Sequence, residues 1–184
     1  IPHEIIRIND AKSLCEGYNR GIARSRGEYL IFSHDDIEIW TPDFGQRLLR
    51  HLGCCDVVGV AGTDLLVDAN TTKKVNWIWG GAGPAHVFGR IIQLALDEKD
   101  YKYTVNLYGV PSLLIEGMQA LDGVFIAMRR SVAVTLGFDQ ETFDGFHLYD
   151  IDFTYRAFHQ GFRIGVFNDI AIIHYSSGRY DEHE

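Results

Sequence analysis

The stretch EYLIFSHDDIEIW, residues 28–40, decides the fold. Its first six residues are mostly apolar, as in a strand buried within a parallel sheet. The run ends on His34, Asp35 and Asp36, with no basic residue beside them. In an extended chain His34 and Asp36 share one face, and Asp35 takes the other. Open α/β sheets bind ligands at the carboxyl ends of their strands, where this triplet lies. A carboxylate together with phosphate oxygens is a usual ligand set for Mg2+ or Mn2+. An imidazole at position 34 tilts that preference toward Mn2+. Alone, the triplet equally reads as a capped acidic turn ahead of Pro42.

Outward from this stretch, strands and helices alternate. HEIIRI (3–8) predicts a strand, NDAKS (9–13) a turn, and SLCEGYNRGIARS (13–25) a helix with Leu14, Tyr18 and Ile22 on one face. PDFGQRLLRHL (42–52) predicts a second helix with Pro42 near its first turn, and DVVGVAG (56–62) another buried strand. Later come ALDGVFIAMRR (120–130) as a strand, SVAVTLG (131–137) as a short helix, and FDQETFDGFH (138–147) as a loop. YDIDFTYRAFHQG (149–161) is a helix closed by Gly161, and FRIGVF (162–167) and IAIIHYS (170–176) are the last strands. This order predicts a single α/β domain, a Rossmann-like mixed but mostly parallel sheet flanked by helices. Residues 64–118 break the rhythm and read as an irregular insertion with hairpins, containing Trp77, Trp79 and the GGAGP loop at 80–84.

The bulk numbers bound the function. At 184 residues, with 46% hydrophobic and 12% aromatic residues, the chain can bury a core. A net charge of −8 argues against nucleic acid as the main partner, because phosphate contacts need a basic stripe. An anionic small ligand remains admissible where a metal supplies positive charge. No apolar run reaches the roughly 18–20 residues of a membrane span, and IPHEIIRIND does not read as a secretory leader. Cys15, Cys54 and Cys55 are an odd set with an adjacent pair, which suits structural thiols in a reduced, cytoplasmic setting.

Further chemistry lies downstream. Asp150 falls where a helix begins. A carboxylate there is either an ordinary cap or, facing a cleft, a general base for a hydroxyl proton. Asp152 and Arg156 form an i, i+4 pair. His174 closes an apolar strand, as core histidines often do, and gains interest as a third ligand beside His34 and Asp36. Asp122 and Gly123, between apolar stretches, mark a bulge or a place where backbone approaches a ligand.

Taken in order, the IND turn, YNRGIARSRGEYLIFSHDDIEI, LDGVFIAMRR, FDGFHLYDIDFTYRAFHQGFRIGV and IIHYSSG resemble a family 2 glycosyltransferase of the GT-A fold. Within it, the HDD and FHLYDID variants are similar to the subgroup of streptomycin-biosynthesis-type glycosyltransferases. The resemblance covers nearly the whole chain outside residues 64–118. It implies that His34-Asp35-Asp36 occupies the DxD position, with Asp36 the metal ligand, His34 in place of the usual first Asp, and Asp35 beside the donor. It implies that Asp150 is the general base of an ED motif whose Glu is here Tyr149. Asn9 and Asp10 stand where the nucleobase is read, Asp122 and Gly123 near donor sugar and acceptor, and His174 near metal or phosphates.

The implied activity is metal-dependent, inverting transfer of a sugar from a nucleotide-diphosphate donor to a glycan or other hydroxyl acceptor, with Mn2+ or Mg2+ as cofactor. Trp77, Trp79 and GGAGP are candidates for acceptor contacts, or core residues. The pattern usually begins with a further apolar strand and helix. Their absence makes the chain read as a fragment of a longer protein with possible further domains. The alternative from another class is a non-catalytic sugar-nucleotide or glycan-binding module retaining the fold. A metal phosphohydrolase would normally need more His and Asp ligands than this order supplies.

Overall fold

The computed structural model describes residues 2–67, 83–96 and 101–175. Trp77, Trp79 and residues 80–82 of the GGAGP loop lie outside them. The four predicted helices form: α1 (Leu14–Arg24), α2 (Phe44–Cys54), α3 (Arg130–Leu136) and α4 (Tyr149–His159). Ser13 caps α1 by accepting from the Glu16 amide at 3.2 Å. Arg156 pairs with Asp152 at 2.8 Å and also donates to the Leu136 and Gly137 carbonyls. The expected i, i+4 pair therefore also satisfies the end of α3. No described helix is long and apolar enough to cross a membrane.

One sheet contains β1 (Tyr29–Ser33), β3 (Val57–Gly59), β7 (Leu114–Glu116), β9 (Phe125–Arg129) and β10 (Ile164–Phe167), in the order β1-β9-β3-β10-β7. The second runs β2-β11-β5-β4-β8, with β6 paired to β5. Its strands are β2 (Ile37–Ile39), β4 (Ala61–Thr63), β5 (Val87–Leu96), β6 (Tyr101–Tyr108), β8 (Ala120–Leu121) and β11 (Ile172–His174). The central strands of the first sheet are covered on both faces. Ile126 and Met128 of β9 join the cluster with Cys15, Ile22 and Phe153 from α1 and α4. Phe125 and Ala127 join the cluster with Leu48 and Leu52 from α2. Fully burying each large side chain contributes roughly 1.5–3 kcal/mol, so the helix-covered strands, not the loops, hold the fold together.

Three expectations change. The sheets are mixed α/β architecture but not mostly parallel: β10 with β3 and β11 with β5 are parallel, and the other described pairings are antiparallel. Burial on both faces made these strands resemble parallel ones, and that burial comes from helices on either side whatever the strand direction. HEIIRI pairs with no described strand. Ile5 is 73% exposed, and Glu4 instead accepts from the Arg26 and Gly27 amides at 2.7 and 3.2 Å. Alternating polarity gives a strand a face but not a ladder partner. DVVGVAG and ALDGVFIAMRR are each two strands, β3 with β4 and β8 with β9, divided between the sheets. Within the insertion, the expected hairpin is present: β5 and β6 pair antiparallel from Gly89 with Tyr108 to Leu96 with Tyr101.

Candidate active site

Several of the candidate residues gather where the chain passes from one sheet to the other. β1 leads into β2 through His34-Asp35-Asp36, β3 into β4 through Val60, β8 into β9 through Asp122-Gly123-Val124, and β10 into β11 through residues 168–171. The crossings are bonded together: His34 donates its amide to the Val124 carbonyl at 3.1 Å, and Asp122 to the Ala61 carbonyl at 2.9 Å. A strand leaving its ladder frees side chains from the pleat, and the first and third of these crossings bring His34, Asp36, Asp122 and Gly123 to one place.

His34, Asp36 and His174 meet there. Their ligand atoms all lie within 4.8 Å of one another. His174 Nε2 is 3.2 Å from both His34 Nδ1 and Asp36 Oδ1, and His34 Nδ1 is 4.0 Å from that oxygen. Antiparallel pairing of β11 with β2 brings His174 beside Ile37, and the Tyr175 amide donates to the Asp36 carbonyl at 2.8 Å. A first-row cation holds such ligands at about 2.0–2.2 Å, which sets neighbouring ligand atoms about 3 Å apart. Two of the three separations have that spacing, and the third, His34 Nδ1 to Asp36 Oδ1, is wider at 4.0 Å. Burial pushes both imidazoles below their ordinary pKa; the neighbouring His174 reinforces this for His34, and Asp36 opposes it in both rings. Neutral rings offer lone pairs, so two imidazoles and a carboxylate suit a divalent cation. His174 Nδ1 is buried with no partner among the described residues.

Beside this group begins α4. Asp150 is half-buried, and its Oδ2 accepts from the Gly123 amide at 2.7 Å. Loss of solvation raises its pKa, opposed by bonds from the Ile151 and Gly123 amides. Tyr149, buried at 4% exposure, brings its hydroxyl to 3.3 Å from His34 Nε2 and 3.4 Å from the Gly123 carbonyl. Leu148, just before, is the one non-glycine residue with positive φ among the described residues, at 63°. Left-handed backbone disfavours a leucine by roughly 1–2 kcal/mol, and such strain tends to collect at functional sites. Neither this strain nor the reach of Tyr149 has a signature in the sequence.

Gly123 is required by its neighbours. A Cβ there would sit on the Tyr149 hydroxyl and 3.0 Å from Asp150 Oδ2. Gly123→Ala is therefore expected to destabilise the protein by about 1–3 kcal/mol and displace both side chains. Denaturant unfolding checks this, and native-like stability would contradict it.

Asp122 is 3% exposed, and its Oδ1 accepts from the Val124 amide at 2.9 Å. Burial, and next the negative charge of Asp150, push its pKa up to about 7. Folding thus favours the protonated carboxyl. Its contribution to stability is full below the ordinary carboxylate range and is lost as pH rises through about 7. Asp122→Asn keeps an oxygen for Val124 and removes the titration. Its stability relative to the native protein is expected to rise by about 2–3 kcal/mol between pH 5 and pH 8. Parallel stability curves for the two proteins would contradict this.

The other predicted residues stand apart from this network. Asp35 is exposed. Asn9 is exposed, and Asp10 is engaged by Arg20 at 2.6 Å, which holds its pKa below the usual range.

A search of curated proteins finds no match. The model of a family described as a glycosyltransferase like family matches residues 1–182, taking in every crossing described above. A match over so much of the chain makes this protein a member of that glycosyltransferase-like family, whose business is sugar transfer from a nucleotide-sugar donor to an acceptor.

Proposed function

We propose that the protein is an inverting, metal-dependent glycosyltransferase of GT-A type, in the streptomycin-biosynthesis-type subgroup that its motifs resemble. It transfers a sugar from a nucleotide-diphosphate donor to the hydroxyl of a glycan or other acceptor. The observation that carries the reading is the convergence of His34, Asp36 and His174 beside Asp150.

His34, Asp36 and His174 would hold Mn2+ or Mg2+, with the two imidazoles favouring Mn2+. When bound, the cation supplies positive charge to the departing diphosphate. Asp150 takes the acceptor hydroxyl proton as the oxygen attacks the anomeric carbon. The new bond from acceptor oxygen to that carbon forms as the bond to the diphosphate oxygen breaks. The bonding pair leaves with the nucleotide. One displacement inverts the configuration and needs no second carboxylate as nucleophile. Gly123 orients Asp150, Asp122 holds the Gly123 turn, Asp35 lies at the donor side, and Asn9 and Asp10 are assigned to the nucleobase.

The raised basicity of Asp150, beside the group formed by His34, Asp36 and His174, supports catalysis over a binding module. The test supplies Mn2+ with a panel of nucleotide sugars and follows nucleotide release. Release that EDTA abolishes is expected. Tight nucleotide binding that ignores EDTA, without release, would instead establish the binding module.

A further inference from the structure

We propose that Tyr149 is a positioning residue for the metal centre, holding His34 in the tautomer that turns a bare Nδ1 toward Asp36 and His174. Its consequence for metal affinity rests on the reading above; its geometry does not. The Tyr149 ring is fixed by Tyr18 and Phe138, at centroid distances of 5.5 and 6.4 Å. A phenol has one proton to donate. The Gly123 carbonyl, 3.4 Å from the hydroxyl, can only accept. Donation to it leaves an oxygen lone pair toward His34 Nε2 at 3.3 Å, and in that arrangement Nε2 carries the ring proton.

A neutral imidazole has one N–H, which leaves Nδ1 bare. That atom faces His174 Nε2 at 3.2 Å and Asp36 Oδ1 at 4.0 Å. A ligating histidine needs an outer partner of this kind to fix which nitrogen is free. The same contact sets the distance between metal centre and base. Tyr149 holds the Gly123 carbonyl while Asp150 holds the Gly123 amide. Consecutive residues of α4 thus grip one glycine, and one of them also reaches a metal ligand.

Nitrogen-15 NMR of the metal-free protein tests the tautomer directly. His34 is expected to be the Nε2–H form in the native protein and a mixture in Tyr149→Phe. Mn2+ titration followed by electron paramagnetic resonance is expected to show affinity weakened about 10–100-fold in Tyr149→Phe. Its metal-free melting temperature should change little, since the ring and its packing remain. Asp36→Ala, titrated in parallel, separates the two readings. Native Mn2+ affinity in Asp36→Ala would remove the metal reading, and the tautomer comparison would still decide the role of Tyr149. An unchanged His34 tautomer in Tyr149→Phe overturns the inference. So does native Mn2+ affinity in Tyr149→Phe where Asp36→Ala has lost its own.

Discussion

Asp36→Ala is expected to weaken Mn2+ binding by about 100-fold or more and to abolish metal-dependent nucleotide release, with the fold intact. Outer-sphere partners of metal ligands are worth about 10–100-fold in affinity, and on the proposed function Asp36 is a direct ligand and the anionic member of its group. Without it, two neutral rings would face a dication with no opposing charge. A 100-fold loss corresponds to about 2.7 kcal/mol. The structural cost is far smaller. The Asp36 side chain is 40% exposed, its partner in the fold is His174 at 3.2 Å, and the Tyr175 amide bonds to its backbone carbonyl, which alanine retains. An exposed pair of that kind contributes roughly 0–1 kcal/mol. Thermal melts with and without Mn2+ separate the effects, because a ligand that binds the folded state raises its midpoint by mass action. The native protein should gain stability with Mn2+ and Asp36→Ala should not. An equal gain in both would remove Asp36 from the metal centre.

The local signals in the sequence survive best. Alternation along IFSHDD predicted that His34 and Asp36 would share a side, and the two meet in the metal-type group. Period and capping located all four helices, because caps and amphipathic faces are written within a few residues. What failed depended on partners far along the chain. Strand direction could not be read from β9, whose buried residues serve helices on both faces. Sheet switching at Val60 and at Asp122-Gly123-Val124 was invisible, because a buried crossing is as apolar as a buried strand.

His34 and Tyr149 show the same limit within the site. Each departs from the pattern that the chain resembles. They lie 115 positions apart in sequence and 3.3 Å apart in space. An imidazole in place of a carboxylate ligand needs something to fix its proton, and a phenol on the neighbouring helix can do so. Two separate departures thus become one contact, which no reading of either motif alone could supply.

Asp150→Asn separates catalysis from stability most sharply. The amide keeps the shape of the side chain and an oxygen for the Gly123 amide, now at 2.7 Å from the carboxylate, but it cannot accept the acceptor hydroxyl proton. A positioned general base is worth about 10²–10⁴-fold, and a loss of that size in kcat is expected, with Mn2+ and donor affinity near native. Stability should move the other way. Loss of solvation raises the Asp150 pKa, so folding disfavours its charged form, and this penalty grows as pH rises above the ordinary carboxylate range. Asn carries no charge and escapes the penalty, so the variant should equal or exceed the native protein in thermal stability at pH 8, with the gap closing toward acid. The same shift predicts that native kcat rises with pH through a limb above the ordinary carboxylate range, and that the limb disappears from the residual activity of the variant. A variant that is both less stable at pH 8 and fully active would assign Asp150 to holding Gly123 alone. Lower activity with higher stability is the mark of a carboxylate kept for chemistry, because the fold by itself is better served without the charge.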